Sequence, residues 1–115
     1  MGDRTNYTIV TTENPLQNIN VYAHWDGSNS VSIMQEAIRA AMPRIKMGDV
    51  SYATRILIDK LTAGGRDSET GYGIYICESV LSEEEHEYKE IDLMRNTVTV
   101  GQMTFKIEEF AQVLT

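Results

Sequence analysis

Cysteine is almost absent from this chain, and its scarcity removes several functions. Cys77 is the only one, so neither an intrachain disulfide nor a multi-cysteine zinc site can form, and no oxidising compartment is needed. Histidine is nearly as rare, with only His24 and His86. They lack the spacing of a zinc helix, and the acids lack the alternation of a calcium loop, so no metal and no cofactor is expected. No stretch approaches the ~18 apolar residues of a membrane span. The opening Met1-Gly2-Asp3-Arg4-Thr5-Asn6 carries no apolar run for a signal peptide or anchor. Asn6 also stands where a myristoylation signal has Ser or Thr. A nucleophile elbow, a phosphate-loop lysine and a three-glycine dinucleotide turn are all missing. A soluble cytoplasmic protein is the expectation.

What is present is ordinary globular composition with an uneven charge. With 115 residues, 42% hydrophobic and 23% charged, residues 1–115 read as a single domain that buries roughly two-thirds of its unfolded surface. The net charge of −7 is confined to residues 58–115, because the acids and bases of residues 1–57 cancel. Its densest part runs from Glu78 to Glu90, with six glutamates against Lys89 alone. Such a field repels phosphate backbones, which argues against direct nucleic-acid binding, and attracts a basic partner surface. A charge run of this kind also serves simply as a solvated loop.

The hydropathy pattern gives an α+β fold. Tyr7–Thr12 and Ile19–Ala23 are β-rich and separated by a turn-prone segment, which suggests a hairpin. In the second strand Tyr22 and His24 share the more polar face. Apolar residues at Met34, Ala37, Ile38, Ala41, Met42 and Ile45 predict a helix capped by Ser30 or Ser32. Pro43 is expected to end or kink it near Met42. A second helix, capped by Asp49 or Ser51, buries Ala53, Ile56, Leu57 and Leu61, with Gly64-Gly65 as a left-handed stop. Gly73–Cys77, Tyr88–Met94, Thr97–Val100 and Gln102–Phe105 supply further strands. Ile107, Phe110, Ala111 and Leu114 line a short terminal helix. The expected architecture is an antiparallel sheet of about five strands, with two adjacent helices on one face and a short C-terminal helix.

Two groups of residues can carry function. The first is the stretch Tyr22-Ala23-His24-Trp25-Asp26-Gly27, which holds the only tryptophan where a strand gives way to a loop. Tyr22, His24, Trp25 and Asp26 can stack, titrate and accept hydrogen bonds. Thr70 and Tyr72, in the turn Glu69-Thr70-Gly71-Tyr72-Gly73, form a possible opposite wall whose glycines allow close approach by a ligand or by another segment. Arg55 is a counter-charge for Asp26 or a bound anion, or a partner for Asp59. A packed corner closing the core explains the same residues structurally. No nucleophile completes a catalytic set, since Cys77 sits within an apolar strand, so an enzyme is not expected. The second group is Glu83, Glu84, Glu85, Glu87 and Glu90, a candidate surface for a basic partner. The apolar strand Gly73–Cys77 or the terminal helix could also pair with a second copy, giving a homodimer.

The motif Val21-Tyr22-Ala23-His24-Trp25-Asp26-Gly27, followed in order by Tyr52-Ala53-Thr54-Arg55-Ile56-Leu57, Glu69-Thr70-Gly71-Tyr72-Gly73-Ile74, Ile91-Asp92-Leu93 and Asn96–Val100, resembles a group of small bacteriophage and prophage proteins with a tyrosine-x-histidine-tryptophan-aspartate-glycine signature. The resemblance covers roughly residues 19–100 and implies a setting, not a mechanism. Small acidic phage proteins without an enzyme motif often inhibit host or defence factors by occupying a surface, as anti-CRISPR proteins do. The leading expectation is therefore a non-enzymatic inhibitor whose partner is a host or defence protein with a basic surface. The alternative is a binder of a small nucleotide-like molecule at the His-Trp-Asp-Gly corner.

Overall fold

Alternating side chains make strands of Thr5–Val10 (β1) and Ile19–Ala23 (β2). The turn between them is closed locally, with Asn14 Oδ1 accepting the Leu16 amide at 3.0 Å ahead of a 3-10 turn at Pro15–Gln17. The computed structural model describes residues 2–78 and 86–113. It adds the strands Tyr72–Ile76 (β3), Lys89–Asp92 (β4), Thr97–Val100 (β5) and Met103–Lys106 (β6), and the helices Ser30–Lys46 (α1), Val50–Leu61 (α2) and Ile107–Gln112 (α3). The strands form one sheet in the order β3-β2-β1-β4-β5-β6.

The fold is α+β, with α1 and α2 packed side by side. Tyr7, Ile9, Val21, Ala23, Ile91 and Val98 come from one sheet face and meet Met34, Ala37, Ile38 and Ala41 of α1 and Ala53, Leu57 and Leu61 of α2 in a single core. Ile107 and Phe110 of α3 complete it. Two α1 side chains hold α3 in place, Gln35 donating to Phe110 O at 2.8 Å and Arg39 to Ala111 O at 2.6 Å. Leu114, expected on this helix face, lies outside the described residues.

The opposite sheet face is polar. Tyr75, Asn20, Thr8, Glu90, Thr99 and Thr104 stand in one cross-strand row, fixed by the register of the pairings. Thr8 and Asn20 are nonetheless buried. Thr8 Oγ1 donates to Asn20 Oδ1 at 2.8 Å, and Asn20 Nδ2 to Cys77 O at 3.0 Å. Most buried polar groups in proteins are paired in this way.

Several expectations need correction. The sheet has six strands rather than about five, and it is mixed, because β4 runs parallel to β1. β3 and β4 point the same way with β2 and β1 between them, so β4 meets β1 in parallel. Pro43 does not end α1, which continues to Lys46. Pro43 is exposed and only a turn from the end, so little hydrogen bonding is lost, and the buried Ile45 anchors that last turn. Neither Ser30 nor Ser32 caps α1; Ser30 lies inside it and donates to Gly27 O at 2.7 Å. Asp49 does cap α2, accepting from the Tyr52 amide at 3.1 Å. Gly64 and Gly65 are not left-handed and form a 3-10 turn at Ala63–Gly65; the left-handed glycines are Gly48, Gly71 and Gly101.

Candidate functional site

The end of β2 is stitched into place by backbone hydrogen bonds from two directions. The His24 amide donates to Gly71 O at 2.8 Å, while the Asp3 amide donates to His24 O and the Gly27 amide to Asp3 O, both at 2.7 Å. The corner is thus clasped between the chain ahead of β1 and the turn ahead of β3. Gly71 takes φ +100 with the edge of the Trp25 indole directly above it, where a Cβ would collide. Of the two readings open for this glycine turn, close approach by another segment holds at Gly71, whereas Gly73 faces open space.

Because side chains alternate along β2, its signature residues divide between the two faces of the sheet. Tyr22 and His24 lie on the polar face, with Tyr22 Oη 2.5 Å from His24 Nδ1. The Trp25 ring meets His24 edge-on at 4.9 Å between centroids and 84° between planes. Trp25 is 56% exposed, so it is not the packed indole that a core-closing corner would need.

Asp26 belongs to the helix side. Its carboxylate accepts the Tyr72 hydroxyl, and Tyr72, paired with Ala23 across the strands, lies on the core face. Burial, then the hydrogen bond and charge of Asp26, push the Tyr72 phenol up to about 12. Gly64 and Gly65 make room for that ring, since a Cβ on Gly64 would sit 2.5 Å from the Tyr72 hydroxyl. The Tyr7 hydroxyl is fully buried with no hydrogen-bond partner among the described residues, and burial raises its pKa further still. Asp26 also opens on an indentation of about 400 Å³ walled by Ile33, Leu61, Ala63 and Gly64, with Glu36 and Lys60 at its rim.

Two candidate residues do not join this corner. Arg55 is exposed on α2, and among the described residues no hydrogen bond or ion pair links it to Asp26 or Tyr72. Asp59 instead pairs with Arg66 at 3.2 Å. Thr70 is exposed in the loop. Conversely, two residues singled out for no role here become part of it. Asp3 accepts the Ser28 amide at 2.7 Å and His86 Nε2 at 2.5 Å. Those bonds, from Ser28 first and His86 second, hold its carboxyl down at about 2. The His86 ring lies over Gly27, where any Cβ would strike it. Nothing local in the sequence signals a contact between residues so far apart.

In the acidic group, Glu83, Glu84 and Glu85 lie outside the described residues. Glu87 is exposed, and Glu90 accepts the Tyr88 hydroxyl at 2.7 Å on the polar sheet face. Lys89, the lone base of that segment, is 0% exposed. Its ammonium donates to Thr5 Oγ1 at 2.7 Å and Glu87 O at 2.9 Å. Cys77 is half-buried at the end of β3, its thiol 2.9 Å from Glu78 O, and not a core residue as its strand pattern suggested. β3 is an edge strand with Ile74 and Ile76 exposed. Among the described residues, no group of three or more His, Cys, Asp or Glu is placed to hold a metal ion. No described helix is long and apolar enough to cross a membrane.

Chemically, the corner offers an exposed aromatic edge and hydrogen-bonded pairs that satisfy one another. Comparison with protein-family models, characterised proteins and solved structures finds no match to this chain.

Proposed function

We propose that this chain is a non-enzymatic binding protein of the phage type. It acts in the host cell cytoplasm, in the manner of an anti-CRISPR protein, by covering a basic surface on a host or defence protein. The observation that carries this reading is the burial of Lys89. The only base among the six glutamates from Glu78 to Glu90 has its ammonium bonded inside the protein, where no partner can meet it. Two other bases of the acidic half, Arg66 and Arg95, are tied to Asp59 and Asp92. A docking protein therefore meets a half of the chain whose acids outnumber its bases, Lys60 and Lys106 being exposed, and the excess negative charge speeds association and fades with salt.

The test is capture from host lysate at low salt. A basic protein retained by the native chain, released by salt and lost on reversing Glu83, Glu84 and Glu85 to lysine supports the reading. Retention that ignores both salt and charge reversal contradicts it.

The exposure of Trp25 favours a second reading, a small nucleotide-like molecule stacked on the indole. Tyr72 does not supply the facing wall, because its ring is enclosed by Gly64 and Gly65 on the core side. Quenching of Trp25 fluorescence by a nucleotide panel, with calorimetric binding of the same nucleotides lost in Trp25→Ala, tests this reading. A flat response across the panel removes it.

A further inference from the structure

β3 forms one end of the sheet, and among the described residues no strand pairs with its outer edge. The bonding of its inner edge shows which main-chain groups are left over. The Cys77 amide donates to Asn18 O at 3.1 Å and the His24 amide to Gly71 O at 2.8 Å. In an antiparallel ladder the bonded pairs recur at every second residue, so Gly73 and Tyr75 also turn their main-chain groups toward β2. The amides and carbonyls of Tyr72, Ile74 and Ile76 therefore point outward. Their side chains share the helix side of the sheet, since they stand opposite Ala23, Val21 and Ile19. Helix cover stops short of this edge: Ile74 is 53% and Ile76 59% exposed.

Sheet edges are normally protected by charge, proline or a covering segment. The strand Tyr72–Ile76 has no charged residue and no proline, in a chain of net charge −7. The opposite edge differs, because β6 ends in Lys106 and runs directly into α3. The missing charge decides the occupant. A basic partner finds no carboxylate on this strand, whereas a second copy of the chain meets no like charge there.

The strand is also complementary to itself. Antiparallel pairing about a two-fold axis at Ile74 sets Ile74 against Ile74 of the second copy, and Tyr72 against Ile76 of the second copy. All three pairs are then of the hydrogen-bonded kind and use every outward amide and carbonyl. Ile76 of the second copy arrives beside an indentation of about 240 Å³ lined by Thr62, Gly65, Ser68, Tyr72 and Ile74. Gly73 faces open space, which leaves room for Tyr75 of the second copy opposite it. α3, the other candidate for self-pairing, buries Ile107, Phe110 and Ala111 in its own core.

We infer that two copies of this chain pair through β3 into a closed two-fold dimer with one continuous sheet. The inference does not rest on the identity of any basic partner.

Sedimentation equilibrium of the full native chain should read the mass of two copies. Ile74→Lys and Ile74→Glu, at a position already exposed, keep the native circular dichroism. Each reads as a single copy, because like charges then face one another at the two-fold axis. Mixed in equal amounts, the two variants recover the double mass, since lysine now faces glutamate. A dimer formed elsewhere gains nothing from that mixture, so the rescue reports the register. A native chain that stays single, a dimer that either variant leaves intact, or a mixture that fails to pair overturns the inference. So does an assembly that grows beyond two copies, which would mean open-ended addition at the edge. If the native chain is single and Ile74→Lys abolishes capture of a host protein, the edge belongs to a strand of that protein and the dimer is wrong.

Discussion

Gly71, in the turn ahead of β3, and Tyr72, the first residue of that strand, show how single residues fix the signature corner. Tyr72→Phe keeps the ring in its glycine-lined seat but removes the hydroxyl donated to Asp26. A hydrogen bond to a charged group of this kind contributes about 1–2 kcal/mol, a loss that urea denaturation should report with an unchanged slope. Gly71→Ala faces a φ of +100 and the Trp25 ring together. It should cost more than ~1 kcal/mol and displace the indole, visible as a shift in Trp25 emission; an unchanged spectrum would contradict the packing. Asp3 gives a pH prediction of definite sign. Its folded pKa, about 2, lies below its ordinary value of 3.8. Its stabilising contribution is therefore complete above that ordinary value and is lost as pH falls toward about 2. Thermal melts of the native chain and of Asp3→Asn should differ near neutral pH and converge in acid. A constant offset across the range would mean that the Asp3–His86 contact is not formed.

Among the elements, the second helix offers the cleanest separation of effects. Asp49 caps α2 through the Tyr52 amide and pairs with Arg44 at 3.3 Å. Asp49→Ala loses both and should cost about 1 kcal/mol, mostly the cap. Asp49→Asn keeps the cap and loses only a partly exposed ion pair, within ~0.5 kcal/mol. Equal losses would place the stabilisation in the Arg44 pair. The elements were also the most legible part of the sequence. The apolar spacing of Met34 to Ile45 and of Ala53 to Leu61 marks two helices whose buried faces it identifies. The alternation in β2 puts Tyr22 beside His24, as found. Pairing between distant strands leaves no such trace. The parallel match of β1 with β4 joins residues some eighty positions apart, and periodicity is the same for either direction of pairing. Gly64-Gly65 reads as a helix stop because its real reason, the Tyr72 ring, arrives from another element. Lys89 looks solvated among glutamates, yet strand alternation with Ile91 turns it toward the core face, where Thr5 Oγ1 accepts a hydrogen bond from its ammonium.

Across the whole molecule, the division of labour follows the sheet. One face is closed by three helices around a single core. The other presents paired hydroxyls, amides and carboxylates. The acidic half adds its charge without an exposed counter-ion from Lys89. The internally satisfied corner at Tyr22–Gly27 sets the geometry of the β2 end, and the proposed function assigns recognition to the acidic surface. Lys89→Met tests whether that ammonium is a surface charge. Replacing the ammonium by an apolar chain of similar length leaves Thr5 Oγ1 and the Glu87 carbonyl without their donor and costs folding stability, yet partner affinity should change far less than on reversing an exposed glutamate. An affinity change as large as that of glutamate reversal would mean that Lys89 reaches the partner.

The most direct measurement of the central claim is the association rate with the captured basic partner as a function of salt, for the native chain and for the chain with Glu83, Glu84 and Glu85 reversed to lysine. Steered association predicts a rate that falls steeply as salt rises and drops by about tenfold or more in the variant at low salt. Rates that coincide for the two proteins and stay flat with salt would contradict binding through the acidic surface.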